Sequence, residues 1–256
     1  MIDIKNKDFT YFKYEKLLKE ITEHSIPVYT VLDWYEKKPE RGIFIRHDVD
    51  RWAINSLYIA ELECKYGIRT TYYFRKTKGS FKPDIIKAIA EMGHEIGYHY
   101  EDLSLASGDF EKSKKLFQKH LGKLRQLSEV KTCAMHGRPF SKYDNRDFWK
   151  AYKLEDFGLQ AEAFLSIDYS DTYYFTDTGR SWAENSVNIR DKVSTNKKAD
   201  VSSTDELINF IVNNKNQKIA IVAHPERWGY DKFSYFKSHL SDTLINKIKI
   251  ILNKGR

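Results

Sequence analysis

Cysteine is nearly absent from this chain of 256 residues: only Cys64 and Cys133 occur. Two thiols cannot build the disulfide framework of a small secreted domain, and neither belongs to a C-x-x-C metal knuckle. Glycine (12) and proline (5) are sparse, which excludes collagen-like and low-complexity sequences. No uncharged apolar run of about 18 residues is present and mean hydropathy is −0.62, so no membrane span is expected. The start, Met1-Ile2-Asp3-Ile4-Lys5-Asn6-Lys7, lacks the apolar stretch of a secretion signal, and a cytoplasmic location is the expectation. Also missing are G-x-S-x-G, the P-loop, G-x-G-x-x-G and H-E-x-x-H, each of which carries a known chemistry.

What is present describes a globular protein, 41% hydrophobic and 31% charged. Basic residues outnumber acidic ones by 43 to 36, a net charge of +7. The lysines are spread out and mostly stand beside acids, as in Lys13-Tyr14-Glu15-Lys16, which reads as a solvated surface and not as a nucleic-acid stripe. Aromatics make up 14% of the chain, with 17 Tyr and 5 Trp. Their flat apolar faces and polar edges suit sugars, and serve equally in an ordinary core.

Periodicity predicts alternating elements. Phe12, Leu17, Leu18 and Ile21 space a helix within 10–24, and Ile43-Phe44-Ile45 is a short buried strand. A helix over 53–66 ends at Gly67, and Thr70 to Phe74 is rich in strand formers. Pro83 opens a helix that Gly93 stops, and His94 to His99 is a short strand. A helix over 109–127 takes Asp109 as its N-cap, followed by a strand from Val130 to His136. Asp205 to Asn213 is a helix, Lys218 to Ala223 a buried strand, and 240–252 a last helix. This order predicts an α/β fold with a mainly parallel sheet, closed or partly closed as a barrel. In such folds the chemistry lies past the C-terminal ends of the strands. One domain is expected over 1–256: an N-terminal helical extension (1–40), a core (41–230) and a C-terminal helix (231–256).

Four of these strands end in residues that bind metals or move protons. They are Arg46-His47-Asp48-Val49-Asp50-Arg51, His99-Tyr100-Glu101-Asp102, His136-Gly137-Arg138-Pro139 and His224-Pro225-Glu226-Arg227-Trp228. In an extended chain Asp48 and Asp50 share a face, and two carboxylates so placed repel. A divalent cation relieves the repulsion, with one Asp as ligand and the other as general base on water. His99 is the natural imidazole ligand. His94 lies about 17 Å from it along a strand, too far to share an ion, and reads as structural. His136 could complete an Asp/His/His set, with Glu101 and Asp102 as assisting acids. His224 ends an apolar strand and is a candidate general acid for a leaving amine. Cys64 falls in a helix and Cys133 in a strand, so neither reads as a nucleophile.

The ordered set formed by Arg46 to Arg51, Gly93-His94-Glu95-Ile96-Gly97-Tyr98-His99, His136 to Phe140 and His224-Pro225 resembles the NodB-like polysaccharide deacetylases, carbohydrate esterase family 4. The chain looks most like their WbmS-like branch, associated with bacterial surface-polysaccharide gene clusters. The similarity covers roughly residues 40 to 230. It implies a distorted (β/α)7 barrel and a divalent metal, often zinc, held by one Asp and two His. Carried over, Asp48 is the base, Asp50 the metal-binding Asp, His99 the first metal His and His224 the late acid. Arg138 lies where the family's Arg-x-Pro motif orients the base. Two departures stand out. Val49 separates the usually adjacent Asp pair, and the position four after His99, which should be the second metal His, is Leu103. His136 is the proposed replacement, with Glu101 or Asp102 as the alternatives.

The expected function is metal-dependent removal of an acetyl group from a sugar or glycan precursor. One alternative is a metal-free, inactive glycan-binding member of the family. Another is an amidohydrolase on a non-sugar amide. The segment Thr176 to Trp182 reads as a loop, with Asp177, Arg180 and Trp182, and Trp228 beyond it, as candidate substrate contacts.

Overall fold

The structure is a computed structural model, and it describes residues 4–138, 140–183, 188 and 190–253. Pro139 of the His136 to Pro139 motif lies outside the described residues.

The chain opens on helix α1 (Tyr11–Glu23), where Thr10 Oγ1 accepts from the Lys13 amide and Tyr14, Leu17, Leu18 and Ile21 form the buried stripe. A two-residue strand β1 (Val28–Tyr29) and a short helix α2 (Val31–Lys37) follow within the stretch read as a helical extension. Strand β2 (Gly42–Val49) is buried at every position, the pattern of a strand covered on both faces. It runs past the Ile43–Ile45 segment and carries Asp48 inside the sheet.

Helix α3 (Ile54–Lys65), strand β3 (Thr71–Phe74), helix α4 (Pro83–Glu91) and strand β4 (Glu95–Tyr100) continue the alternation. A single turn α5 (Asp102–Leu105) precedes α6 (Phe110–Arg125), which Asp109 caps through the Lys112 amide. Then come strand β5 (Thr132–Met135) and two 3-10 turns at Asn145–Lys150 and Leu154–Phe157. Strands β6 (Ala161–Glu162) and β7 (Thr172–Thr176) lead to helix α7 (Thr204–Asn213), capped by Ser203. Strand β8 (Lys218–Ala223) is followed by α8 (Lys232–Asn253), inside the expected C-terminal helix of 231–256 and starting eight residues before the periodic stretch 240–252.

The ladders between these strands are all parallel. Seven strands form the path β6-β5-β4-β3-β2-β8-β7, and β1 joins the start of β2 from the side. The two ends of the path are not paired with each other among the described residues, so the wall is an open, distorted (β/α)7 barrel. One glycine is fixed by a close approach: a Cβ on Gly97 of β4 would lie 2.1 Å from the Tyr73 ring of β3. Asp50, Glu101, His136 and His224 all follow the C-terminal ends of their strands, and His99 sits one residue before the end of β4.

Candidate active site

Side chains alternate along β2, so Arg46 and Asp48 share one face while His47 takes the other. His47 Nε2 meets Glu63 at 2.8 Å in a buried polar cluster behind the sheet. His94 joins that cluster: its Nδ1 accepts from the Thr70 amide and its Nε2 donates to the Ala60 carbonyl. It stands apart from His99, as its spacing predicts. On the other face Arg46 Nη2 donates to Asp48 Oδ2 at 3.2 Å, and its guanidinium lies 4.1 Å from the Phe164 ring centre. Burial disfavours the Arg46 charge, but Asp48 and the hydroxyls of Tyr174, Tyr169 and Tyr73 outweigh it and hold the guanidinium protonated.

Asp50, His99 and His136 converge. Asp50 Oδ1 is 3.5 Å from His99 Nε2 and 3.5 Å from His136 Nε2, and His99 Nε2 is 3.8 Å from Asp48 Oδ2. His99 Nδ1 donates to the Ala134 carbonyl and His136 Nδ1 to Glu101 Oε2. Loss of the Nε2 protons, with those on Nδ1 kept, would turn both Nε2 lone pairs towards a cation beside the Asp50 carboxylate. Asp50 Oδ1 is buried without a hydrogen-bond partner. Burial would raise the Asp50 pKa, yet the His136 and His99 imidazoles and Arg75 hold it well below the usual carboxylate range.

As the side chains stand, no group of three or more His, Cys, Asp or Glu among the described residues is arranged to hold a metal ion. The donor chemistry fits one all the same. Two ligands at ~2.1 Å from a tetrahedral ion are ~3.4 Å apart, which matches both Nε2···Oδ1 separations. An imidazole whose second nitrogen donates to a carbonyl or carboxylate is the usual outer arrangement of a metal-binding histidine.

Leu103 explains why the expected second His has no counterpart. Its side chain is buried on α5, and Ala106 beside it is buried too. Asp102 is turned away as well: its two oxygens meet His120 Nδ1 and the Tyr98 hydroxyl, each at 2.7 Å. Glu101 stands behind the site, accepting from Arg75 and His136. Opposing burial, those two residues hold it down at about 2. Arg138, expected beside Asp48, instead has Nη1 3.7 Å from Glu101. The guanidinium at Asp48 is that of Arg46, two residues back on the same strand face.

His224 is gripped on one side. Asp177 Oδ1 accepts from His224 Nδ1 at 2.6 Å, and Oδ2 accepts from the His224 amide at 2.9 Å. Arg227 Nη1 stands 2.7 Å from the same Oδ1 and 2.8 Å from Nδ1, so that oxygen accepts from both cations. Burial and the Arg227 charge act to lower the His224 pKa, while Asp177 more than reverses them and the imidazole is pushed up to about 9.

The four residues read as substrate contacts do other work. Asp177 is fully buried and orients His224, while also accepting from Trp228 Nε1. Trp182 and Trp228 are 4% and 1% exposed, packed with Phe9 in the core. Arg180 donates to the Arg227 carbonyl and Ser238 and pairs with Asp242.

The site lies in a cavity of about 360 Å³ lined by Asp48, Asp50, His99, His136, His224 and five arginines, among other residues. Arg75, Asp191 and Glu226, which also line the cavity, were given no role from the sequence. Glu226 lines the cavity, has Oε2 buried without a hydrogen-bond partner, and is pushed up to about 7 by burial and the Asp50 charge.

No family model matches the chain, and no curated protein matches it. Among solved structures it is similar to a mutant of a CE4 family pseudoenzyme with restored enzymatic activity, at 12% identity and a TM-score of 0.42. That likeness covers 82% of this chain and 64% of the other, so this chain spans less than two thirds of its length. It is also similar to a CE4 esterase of Streptococcus mutans, at 11% identity and a TM-score of 0.42, over 89% of this chain and 90% of that one. Likeness at this level carries no argument about activity; the chemistry rests on the site.

Proposed function

We propose that the chain is a metal-dependent hydrolase that removes an N-acetyl, or O-acetyl, group from a sugar. We read it as a NodB-like polysaccharide deacetylase of the WbmS-like branch, working on a precursor of a surface polysaccharide. The observation that carries this reading is the meeting of Asp48, Asp50, His99, His136 and His224 in one cavity at the ends of four parallel strands.

Asp50, His99 and His136 are the residues that would hold a divalent cation, zinc first among the candidates. Such an ion supplies Lewis-acid polarisation of an acyl carbonyl and makes water acidic near neutral pH. Asp48 accepts the proton of the attacking water, its carboxylate fixed by Arg46. Asp48 Oδ1 makes no hydrogen bond, which leaves it open to that proton. With Nδ1 committed to Asp177, His224 exchanges its proton through Nε2 and delivers it to the departing nitrogen. An amide cannot break cleanly without that proton, because an amine anion is a poor leaving group.

The test is acetate release from N- and O-acetylated sugars and their nucleotide-linked forms, with and without a chelator. Activity should vanish on chelation and return with added zinc. Turnover indifferent to both chelation and Asp48→Asn would remove this mechanism. Saturable glycan binding with no turnover would favour the metal-free binding module, and hydrolysis confined to small non-sugar amides would favour an amidohydrolase.

A further inference from the structure

Helix α8 presents two unlike faces. Its inner face carries buried Ser238 and Asp242, and Asp242, Ile245 and Asn246 line the cavity. Its outer face carries Phe233, Phe236, Leu240, Leu244 and Ile248, which are 76%, 48%, 73%, 61% and 39% exposed. At 100° per residue these five fall within a stripe about 120° wide. Such a row of large apolar side chains on one exposed helix face needs an occupant.

The charges around the stripe select it. Lys232, Lys237 and Lys247 are exposed, and the only acid within the helix is Asp242, which is buried on the opposite face. Lys237 and Lys247 lie inside the stripe itself. If two copies of α8 packed parallel, each of these lysines would meet its own counterpart. If they packed antiparallel about Leu240 and Leu244, Lys237 would meet Lys247. Either way like charges face each other, and the helix offers no exposed acid to relieve them. An anionic surface meets the same lysines favourably, and the chain's net charge of +7 adds to that attraction. Apolar side chains framed by lysines are the pattern of a helix lying in a lipid interface, and no helix among the described residues is long and apolar enough to cross a membrane.

We propose that the outer face of α8 docks this protein onto an anionic lipid surface, with Phe233, Phe236, Leu240, Leu244 and Ile248 entering the interface. The opposite face of the same helix walls the cavity, so docking brings the cavity within about one helix diameter, ~10 Å, of the lipid. Resting on the deacetylase reading, the substrate is then a lipid-linked sugar. The docking step itself does not depend on that reading.

The test is sedimentation of the full chain with vesicles of phosphatidylcholine alone or of phosphatidylcholine mixed with the anionic lipid phosphatidylglycerol, whose negative surface attracts lysines. Binding to the anionic vesicles is expected, weakened by salt. It should fall at least tenfold in Leu240→Glu/Leu244→Glu, whose melting temperature should match wild type because both side chains are exposed. Lys237→Gln/Lys247→Gln should weaken binding and flatten its salt dependence. Absence of binding to either vesicle overturns the proposal. So does a dimer in light scattering that the leucine variant dissociates, since the stripe then belongs to a second copy. Acetate release from a soluble sugar, read separately, reports on the hydrolase and is expected to be unchanged in the leucine variant.

Discussion

Asp48 and Asp50 stand two residues apart and meet different partners, which sets their different roles. Asp48 faces a buried arginine, while Asp50 faces the Nε2 atoms of two imidazoles. Asp48→Asn should therefore lower kcat by about 100-fold or more, the usual weight of a general base, with metal content unchanged. Loss of metal with loss of activity would instead place Asp48 among the ligands. In the proposed mechanism Asp177 acts through His224, as a positioning residue. It holds the imidazole's pKa near 9, so His224 is protonated below that pH. In Asp177→Asn, burial and Arg227 remain and both oppose the cation. The pKa falls, and the alkaline limb of the kcat/KM profile should move to lower pH. A limb that stays in place would show that His224 is not the acid.

At the scale of elements, strand β4 lies against β3 with no room over Gly97, where a Cβ would come 2.1 Å from the Tyr73 ring. Gly97→Ala should cost roughly 1–3 kcal/mol through overpacking, read as a melting temperature lower by several degrees; an unchanged midpoint would contradict it. The longer elements were legible because their patterns repeat. Strand β8 is an unbroken apolar run, and α6 declares itself through Asp109 and its spaced leucines. The two-residue strands β1 and β6 are too short to show any period. The site was half legible for the same reason. Alternation on β2 puts Asp48 on one face, and the same rule places Arg46 beside it, though only the structure shows the contact. Asp177 was not legible in its role, because the histidine it holds lies 47 residues away; Glu101, read as an assisting acid, accepts from His136, 35 residues on. Trp182 and Trp228 were misread because a tryptophan suited to a sugar face is equally suited to a core, and only its neighbours decide.

At the scale of the molecule, a polar cluster behind the sheet ties several elements together. Glu63 of α3 accepts from Tyr14 of α1, Tyr72 of β3 and Thr70, and meets His47 of β2. Burial would raise its pKa, but His47, His94 and Tyr14 outweigh that and hold it at about 2, below the ordinary 4.5. The carboxylate therefore contributes stability that is complete above about pH 4.5 and lost as pH falls towards 2, on the order of 3 kcal/mol. Glu63→Gln should lose stability in denaturant unfolding at pH 6 and much less at pH 2.5; equal loss at both would contradict the linkage. On the opposite face, we propose that His136 takes the metal-ligand place that Leu103 cannot fill. The most direct measurement is elemental mass spectrometry of the protein purified without added metal or chelator, beside His136→Ala. About one zinc or similar divalent ion per chain is expected, lost in the variant. Metal retained in full by His136→Ala, or none in the wild type even after reconstitution, would contradict it.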